Sequence, residues 1–147
     1  MKKAVLLTLS VLSLCMLLAG TALSQDQYNE GTVERVILLR ILPGHGNAFW
    51  EDLKSNVQPI YEAEKGQGLI NGYSIFLNQT KGNPEDWDVG IALTYKNMAA
   101  LDGLSMKVFD LRMKQYGDKG KEQQVINKRT ENTQVVASYL IRNVTLK

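Results

Sequence analysis

Trp87-Asp88-Val89-Gly90-Ile91-Ala92-Leu93-Thr94-Tyr95 alternates large apolar residues with small or polar ones over its whole length. Period two is the mark of a strand with one face packed against a core. The large set is Trp87, Val89, Ile91, Leu93 and Tyr95; the other is Asp88, Gly90, Ala92 and Thr94. The second set is too small to fill a thick core and carries too little charge for an open water-facing surface. The sheet that holds this strand is therefore expected to have two unlike faces, each with its own cover.

On the N-terminal side a loop, Lys81 to Asp86, separates it from a second strand expected over Leu69 to Gln79. That strand splits into Leu69, Asn71, Tyr73, Ile75 and Leu77 against Ile70, Gly72, Ser74, Phe76 and Asn78. Further back, Phe49, Leu53, Val57, Ile60 and Tyr61 recur at helical spacing. Asn47 is the expected N-cap, and Gly66 and Gly68 end the helix. Pro59 lacks the amide that would bond the carbonyl of Ser55, which predicts a kink there. Thr32 to Leu42 is a first strand, with Val33, Ile37, Leu39 and Ile41 on one side and Val36, Leu38 and Leu42 on the other. Pro43-Gly44-His45-Gly46 turns it.

On the C-terminal side Asn97 is expected to cap a helix running to about Tyr116, weakened at Gly103. Gly117 to Asn132 is highly charged, with a short helix expected around Val125 and Ile126. The last strand, Thr133 to Val144, splits into Val135, Ala137, Tyr139 and Ile141 against Val136, Ser138, Leu140 and Arg142. Strand, helix, strand, strand, helix, strand is the βαββαβ order of an α+β ferredoxin-like sandwich: a four-stranded antiparallel sheet with helices on one face. The larger set of each strand is assigned to the helix-covered core. The other face carries Val36, Leu38, Phe76, Ala92, Val136 and Leu140. Either a second copy packs on it, making a homodimer, or segment 117–132 folds over it.

The N-terminus is of a different kind. Met1-Lys2-Lys3, an apolar run from Ala4 to Leu18 and a small-residue exit at Ala22 and Ser24 form the three parts of a signal peptide. Cleavage after Ser24, with Ala22 as the nearby alternative, leaves Gln25 as the new N-terminus. An uncleaved anchor is the competing reading. The expected organisation is a signal peptide over 1–24, a loose lead-in over 25–31 and one domain over 32–147. The only cysteine, Cys15, departs with the leader. So do Lys2 and Lys3, after which 15 basic residues balance 15 acidic ones. The exported domain thus has no disulfide and no net charge that points to nucleic acid or an anionic membrane as partner.

Several residues are candidates for a site. Trp50, Tyr61, Asn71, Tyr73, Trp87, Tyr95 and Tyr139 place polar tips on the core-facing set, which suits a small-molecule pocket as well as ordinary core edges. Glu34, Arg40, Asp88 and Arg142 lie on the other side and suit ion pairs across a dimer or an anionic ligand. His45, the only histidine, is either an acid–base group or an exposed turn residue. It has no second histidine or cysteine with which to build a zinc or haem centre, so no metal or cofactor is expected.

The chain resembles the dimeric α+β barrels, which include antibiotic-biosynthesis monooxygenase-like and stress-responsive barrel domains. The likeness covers about Thr32 to Val144. It is carried by Leu42-Pro43-Gly44 with Phe49, by Gly66-Gln67-Gly68-Leu69-Ile70, and by Leu93-Thr94-Tyr95-Lys96-Asn97. It implies sheet-to-sheet pairing. Some such proteins are cofactor-free oxygenases and some degrade haem. Catalytic members often carry an acid and an aromatic in the third strand and a histidine early in the second helix. Here Leu93 stands at the acid's place, Tyr95 at the aromatic's, and Met98 to Leu104 hold no histidine. The leading expectation is an exported homodimer that binds a small apolar ligand or serves as an interaction module. The alternative is a cofactor-independent monooxygenase or isomerase using Asn71, Tyr73, Trp50 or His45.

Overall fold

β1 (Tyr28–Ile41) and β3 (Val89–Tyr95) form the centre of a four-stranded sheet whose edges are β2 (Gly72–Leu77) and β4 (Thr133–Leu146), in the order β2-β3-β1-β4. This is a computed structural model, and it describes residues 27–147. The expected leader over 1–24 and its cleavage site lie outside the described residues. Two units can be distinguished. Gly31–Asn143 is one; of the other, 27–30 and 144–147 are described, and in it the Lys147 amide donates to the Gln27 carbonyl at 3.2 Å.

β3 is antiparallel to both neighbours, with Val33 opposite Tyr95, Ile37 and Ile75 opposite Ile91, and Leu39 and Leu77 opposite Val89. On the far side of β1, Arg40 donates to Gln134 and Asn143 donates to Thr32 and Glu34, so β4 is also antiparallel. The pleat puts Val33, Val89, Ile91, Leu93 and Tyr95 on one face, where they pack with Phe49, Leu53, Ile70 and Leu104. Each such side chain contributes about 1.5–3 kcal/mol on burial. The α+β ferredoxin-like architecture expected from the sequence is present.

The helices depart from expectation in instructive ways. The first stretch is α1 (Gly46–Asp52), a π-helical turn (Leu53–Val57) and α2 (Gln58–Gly66). His45, not Asn47, holds the N-cap position, and no side chain caps the end. Pro59 sits in the first turn of α2, where its missing amide costs nothing. The wider turn before it absorbs the mismatch, with the Gln58 amide reaching back five residues to Leu53. The second stretch breaks rather than weakens at Gly103. Asn97 caps a 3₁₀ turn (Met98–Leu101) through the Ala100 amide at 3.1 Å, Gly103 takes φ 66, and α3 (Leu104–Tyr116) starts after it. Segment 117–132 is mostly one full helix, α4 (Lys119–Asn132), capped by the Asp118 carboxylate on the Lys121 amide at 2.9 Å. It joins the helix layer through Arg129 to Asp52 of α1 (2.6 Å) and Glu122 to Arg112 of α3 (2.8 Å). It does not cover the opposite sheet face.

Strand lengths differ too. β1 starts at Tyr28, inside the expected lead-in, and β4 runs on to Leu146. β2 is shorter than 69–79 because Gly68 (φ 68) and the Leu69 amide, bonded to the Glu64 carbonyl, serve the end of α2. At its other end the Asn78 side chain turns the chain by accepting from the Thr80 amide. The helix layer covers the central strands and leaves most of the edge strands bare. Ile75, Leu77, Val135, Tyr139 and Ile141, all expected in the core, are exposed.

Candidate functional site

Between the sheet and the helix layer lies a cavity of about 360 Å³. Its apolar walls are Ile37, Leu93, Leu101, Leu104 and Val108; its polar groups are Arg35, Tyr61, Glu64, Tyr95, Ser105 and Arg112. Each element delivers its residue for a local reason. Arg35 falls on the helix side of β1 by alternation with Val33 and Ile37, and Tyr95 does so on β3. Glu64 follows Ile60 by four residues, so it sits on the inward stripe of α2. Arg112 is placed on α3 beside Leu111 and is held by Glu122 of α4. Glu64 is 3 % exposed and Tyr95 1 %. Arg35, by contrast, is exposed, and the Arg112 side chain is 40 % exposed. Carboxylate and tyrosine thus lie deep, and the two guanidinium groups stand at the rim.

The electrostatics follow from that depth. Burial pushes the Glu64 carboxyl above the usual carboxylate range, and Arg112 and Arg35 offset only part of the effect. Burial also raises the Tyr61 hydroxyl, to about 12, with Glu64 adding to the rise. The Tyr95 hydroxyl is raised by burial as well, with Arg35 opposing. All three groups hold their protons more tightly than in water. Tyr61 also borders a second, more apolar space of about 190 Å³ under α1, shared with Phe49, Leu53 and Val135.

Of the residues expected to share a pocket, the fold brings only Tyr61 and Tyr95 to this cavity. Tyr73 meets the Tyr61 ring at a tilt, 5.3 Å between centroids, but its hydroxyl donates to Glu62 outside the walls at 2.6 Å. Asn71 is exposed, its amide bonded to the Thr94 carbonyl. Trp50 is 42 % exposed and meets Phe49 edge-on. Trp87 leaves the alternation, because it precedes the start of β3. Its ring meets Phe76 edge-on at 5.6 Å, and Phe76 belongs to the helix-free side. Tyr139 is exposed on β4. His45 shares a 2.7 Å hydrogen bond with Asn132, tying the α1 start to the α4 end.

The charged set on the other face is engaged within the chain. Arg40 bonds Gln134, and Glu34 accepts from Asn143 at 3.0 Å. Asp88 pairs with Lys81 and accepts the Ile41 amide at 2.8 Å. Desolvation works to raise the Asp88 carboxyl, but Lys81, the Ile41 amide and Arg40 outweigh it and hold it below the usual range. Arg142 lies on β4 among exposed residues. Sequence reasoning missed Arg35, Glu64, Ser105 and Arg112. For Arg35 the signal was a single charge inside an otherwise apolar alternation, Val33, Ile37, Leu39, Ile41. For Glu64 it was an acid on the stripe of Ile60 and Tyr61.

Among the described residues no helix is long and apolar enough to cross a membrane. No family model matches the chain. No curated protein matches its sequence. Solved structures do resemble it. A dimeric ferredoxin-like protein from an uncultured marine organism superposes with a TM-score of 0.51 at 13 % identity, over 81 % of this chain and 98 % of that one. A dimeric protein of unknown function and ferredoxin-like fold from Bacteroides fragilis gives 0.43 at 13 % identity, over 77 % and 95 %. An EthD-like protein from Ralstonia eutropha gives 0.42 at 12 %, over 78 % and 92 %. The first of these likenesses agrees with the ferredoxin-like fold built above from strand order and register.

Proposed function

We propose that the chain is an exported, homodimeric small-molecule-binding protein of the dimeric α+β barrel type, with its ligand held between sheet and helices. The observation that carries the binding reading is the 360 Å³ cavity, with apolar walls and a few convergent polar groups. The homodimer rests on the helix-free face. Phe76, Val136 and Leu140 are 36 %, 42 % and 47 % exposed there, and α4 is engaged in the opposite layer. The dimeric state named for the marine protein is in keeping with this. Export rests on the leader over residues 1–24 and predicts a mature N-terminus at Gln25, which intact mass of secreted material would check.

A thermal-shift screen of single-ring aromatic and alicyclic compounds tests the binding. A ligand at a hundredfold excess over its Kd stabilises by about 2.7 kcal/mol. Ser105→Phe, at an exposed rim position, is expected to abolish that shift without lowering the unliganded Tm. A screen with no stabilising compound would overturn the reading.

A second reading, proton transfer on an enolisable compound, is favoured by one observation: the deeply buried Glu64 with its raised carboxyl. It shifts the chemistry away from Asn71, Tyr73, Trp50 and His45, which do not converge. Turnover lost in Glu64→Gln and retained in His45→Ala would support it.

A further inference from the structure

The charge arrangement of the cavity narrows the class of ligand, on the reading of that cavity as a binding site. Arg112 Nε forms an ion pair with Glu122 at 2.8 Å; both atoms are buried, and neither has a hydrogen-bond partner. This pairing leaves the two terminal amino groups of the Arg112 guanidinium for a ligand. Arg35 stands across the rim on β1. Below both lies Glu64, facing Arg35 from β1, Tyr95 from β3, Arg112 from α3 and Tyr61 from its own helix. Glu122 and Arg129 of α4 lie behind Arg112 and Tyr61.

With Glu64 ionised, the four charges Arg35, Arg112, Glu64 and Glu122 cancel. With Glu64 protonated, one positive charge remains between apolar walls. We propose that the cavity takes a small monoanion, a carboxylate on a single-ring or short aliphatic body, with its head between Arg35 and Arg112 and with Glu64 in its protonated form. The volume sits at the small end of the ~300–1,000 Å³ span of ligand pockets, which limits the body to about one ring. An arriving carboxylate disfavours a second negative charge beside it, so binding draws a proton onto Glu64. The sign is fixed. Below the free-state pKa of Glu64 the proton is already in place and binding takes up none. Above it, each bound anion takes up as much as one proton, and affinity falls as pH rises.

The test is isothermal titration calorimetry on the full chain purified from an exporting host. The probes are benzoate and phenylacetate against benzamide and phenylacetamide, from pH 5 to 8, in buffers of unlike ionisation enthalpy. The carboxylates are expected to bind at least about tenfold more tightly than the amides at pH 6, as a charge-assisted pair to arginine demands. Arg35→Gln, at an exposed position, is expected to erase that preference. Glu64→Gln is expected to abolish proton uptake and flatten the pH dependence. Amides that bind as tightly as carboxylates would overturn the anion inference and leave the cavity a ligand site. Failure of every probe to bind would overturn both readings. Uptake that persists in Glu64→Gln would also overturn the inference. Should that variant not fold, the carboxylate preference of the unaltered chain and its loss in Arg35→Gln still decide.

Discussion

β3 and β4 belong to one sheet and are both more than half apolar, yet six of seven β3 residues are buried and none of the fourteen in β4 is. Composition therefore does not choose what is buried here; position across the sheet does. β3 lies under α2, α3 and the 3₁₀ turn, whereas β4 overhangs the helix layer and shows Val135, Tyr139 and Ile141 on one side and Val136 and Leu140 on the other. A monomer would gain nothing from apolar residues at those places. On the proposed homodimer, Val136 and Leu140 and the helix-free face beside them are where a second copy would pack.

The contrast can be broken most directly at its two extremes. Leu93→Ala is expected to cost about 2–5 kcal/mol, because it leaves a cavity beneath the helix layer. Ile141→Ala on β4 is expected to stay within about 0.5 kcal/mol of the parent in denaturant titrations. An equal cost at the two sites would mean that β4 is covered on its helix side as well as on the other. The double variant Val136→Asp with Leu140→Asp addresses that other side. Light scattering should then report a monomer in place of a dimer, with the far-UV spectrum unchanged. A dimer that survives both charges would place the interface elsewhere.

These differences explain what could be foreseen from residues alone. Period two in Val89–Tyr95 fixed the faces of β3, and the order of elements led to the sheet topology. Alternation says which face a residue points to but not how far the cover extends sideways, so Tyr139 and Ile75 pointed correctly and still lie in the open. Helix α4 was underestimated because its two apolar residues, Val125 and Ile126, are adjacent rather than spaced. Its stability comes from a cap and from charged contacts to α1 and α3. The cavity was half legible. Tyr61 and Tyr95 fit an amphipathic pattern, whereas Arg35 and Glu64 break one, and a break carries meaning only once the facing element is known.

Two smaller effects sharpen the picture. Gly90 lies directly opposite Phe76, whose ring crosses the place a Cβ would take. Gly90→Ala is expected to cost about 1 kcal/mol by turning that ring outward, and the cost should vanish in a Phe76→Ala background. If the ring also meets the partner copy, Gly90→Ala weakens the dimer as well, which sedimentation would detect. Asp118→Ala removes the α4 cap and is expected to cost about 0.5–2 kcal/mol in thermal unfolding, with no change in dimerisation, because α4 stands in the other layer.

The subtlest effect concerns the pH dependence of stability. The Glu64 carboxyl is raised in the folded state by burial, which Arg112 and Arg35 only partly offset. Between its ordinary value and its raised one, the folded chain holds a proton that the unfolded chain has released. Stability contributed by this group is therefore fully present below the ordinary carboxylate pKa and is lost as pH rises through the folded value. Glu64→Gln cannot ionise, so its denaturation midpoint is expected to match the parent near pH 4 and to exceed it at pH 7. A parent that matches the variant near pH 4 and is the more stable of the two at pH 7 would mean that the arginines outweigh burial. In that case Glu64 would be an ion-pair anchor for the helix-covered face and not the proton-holding floor of a site.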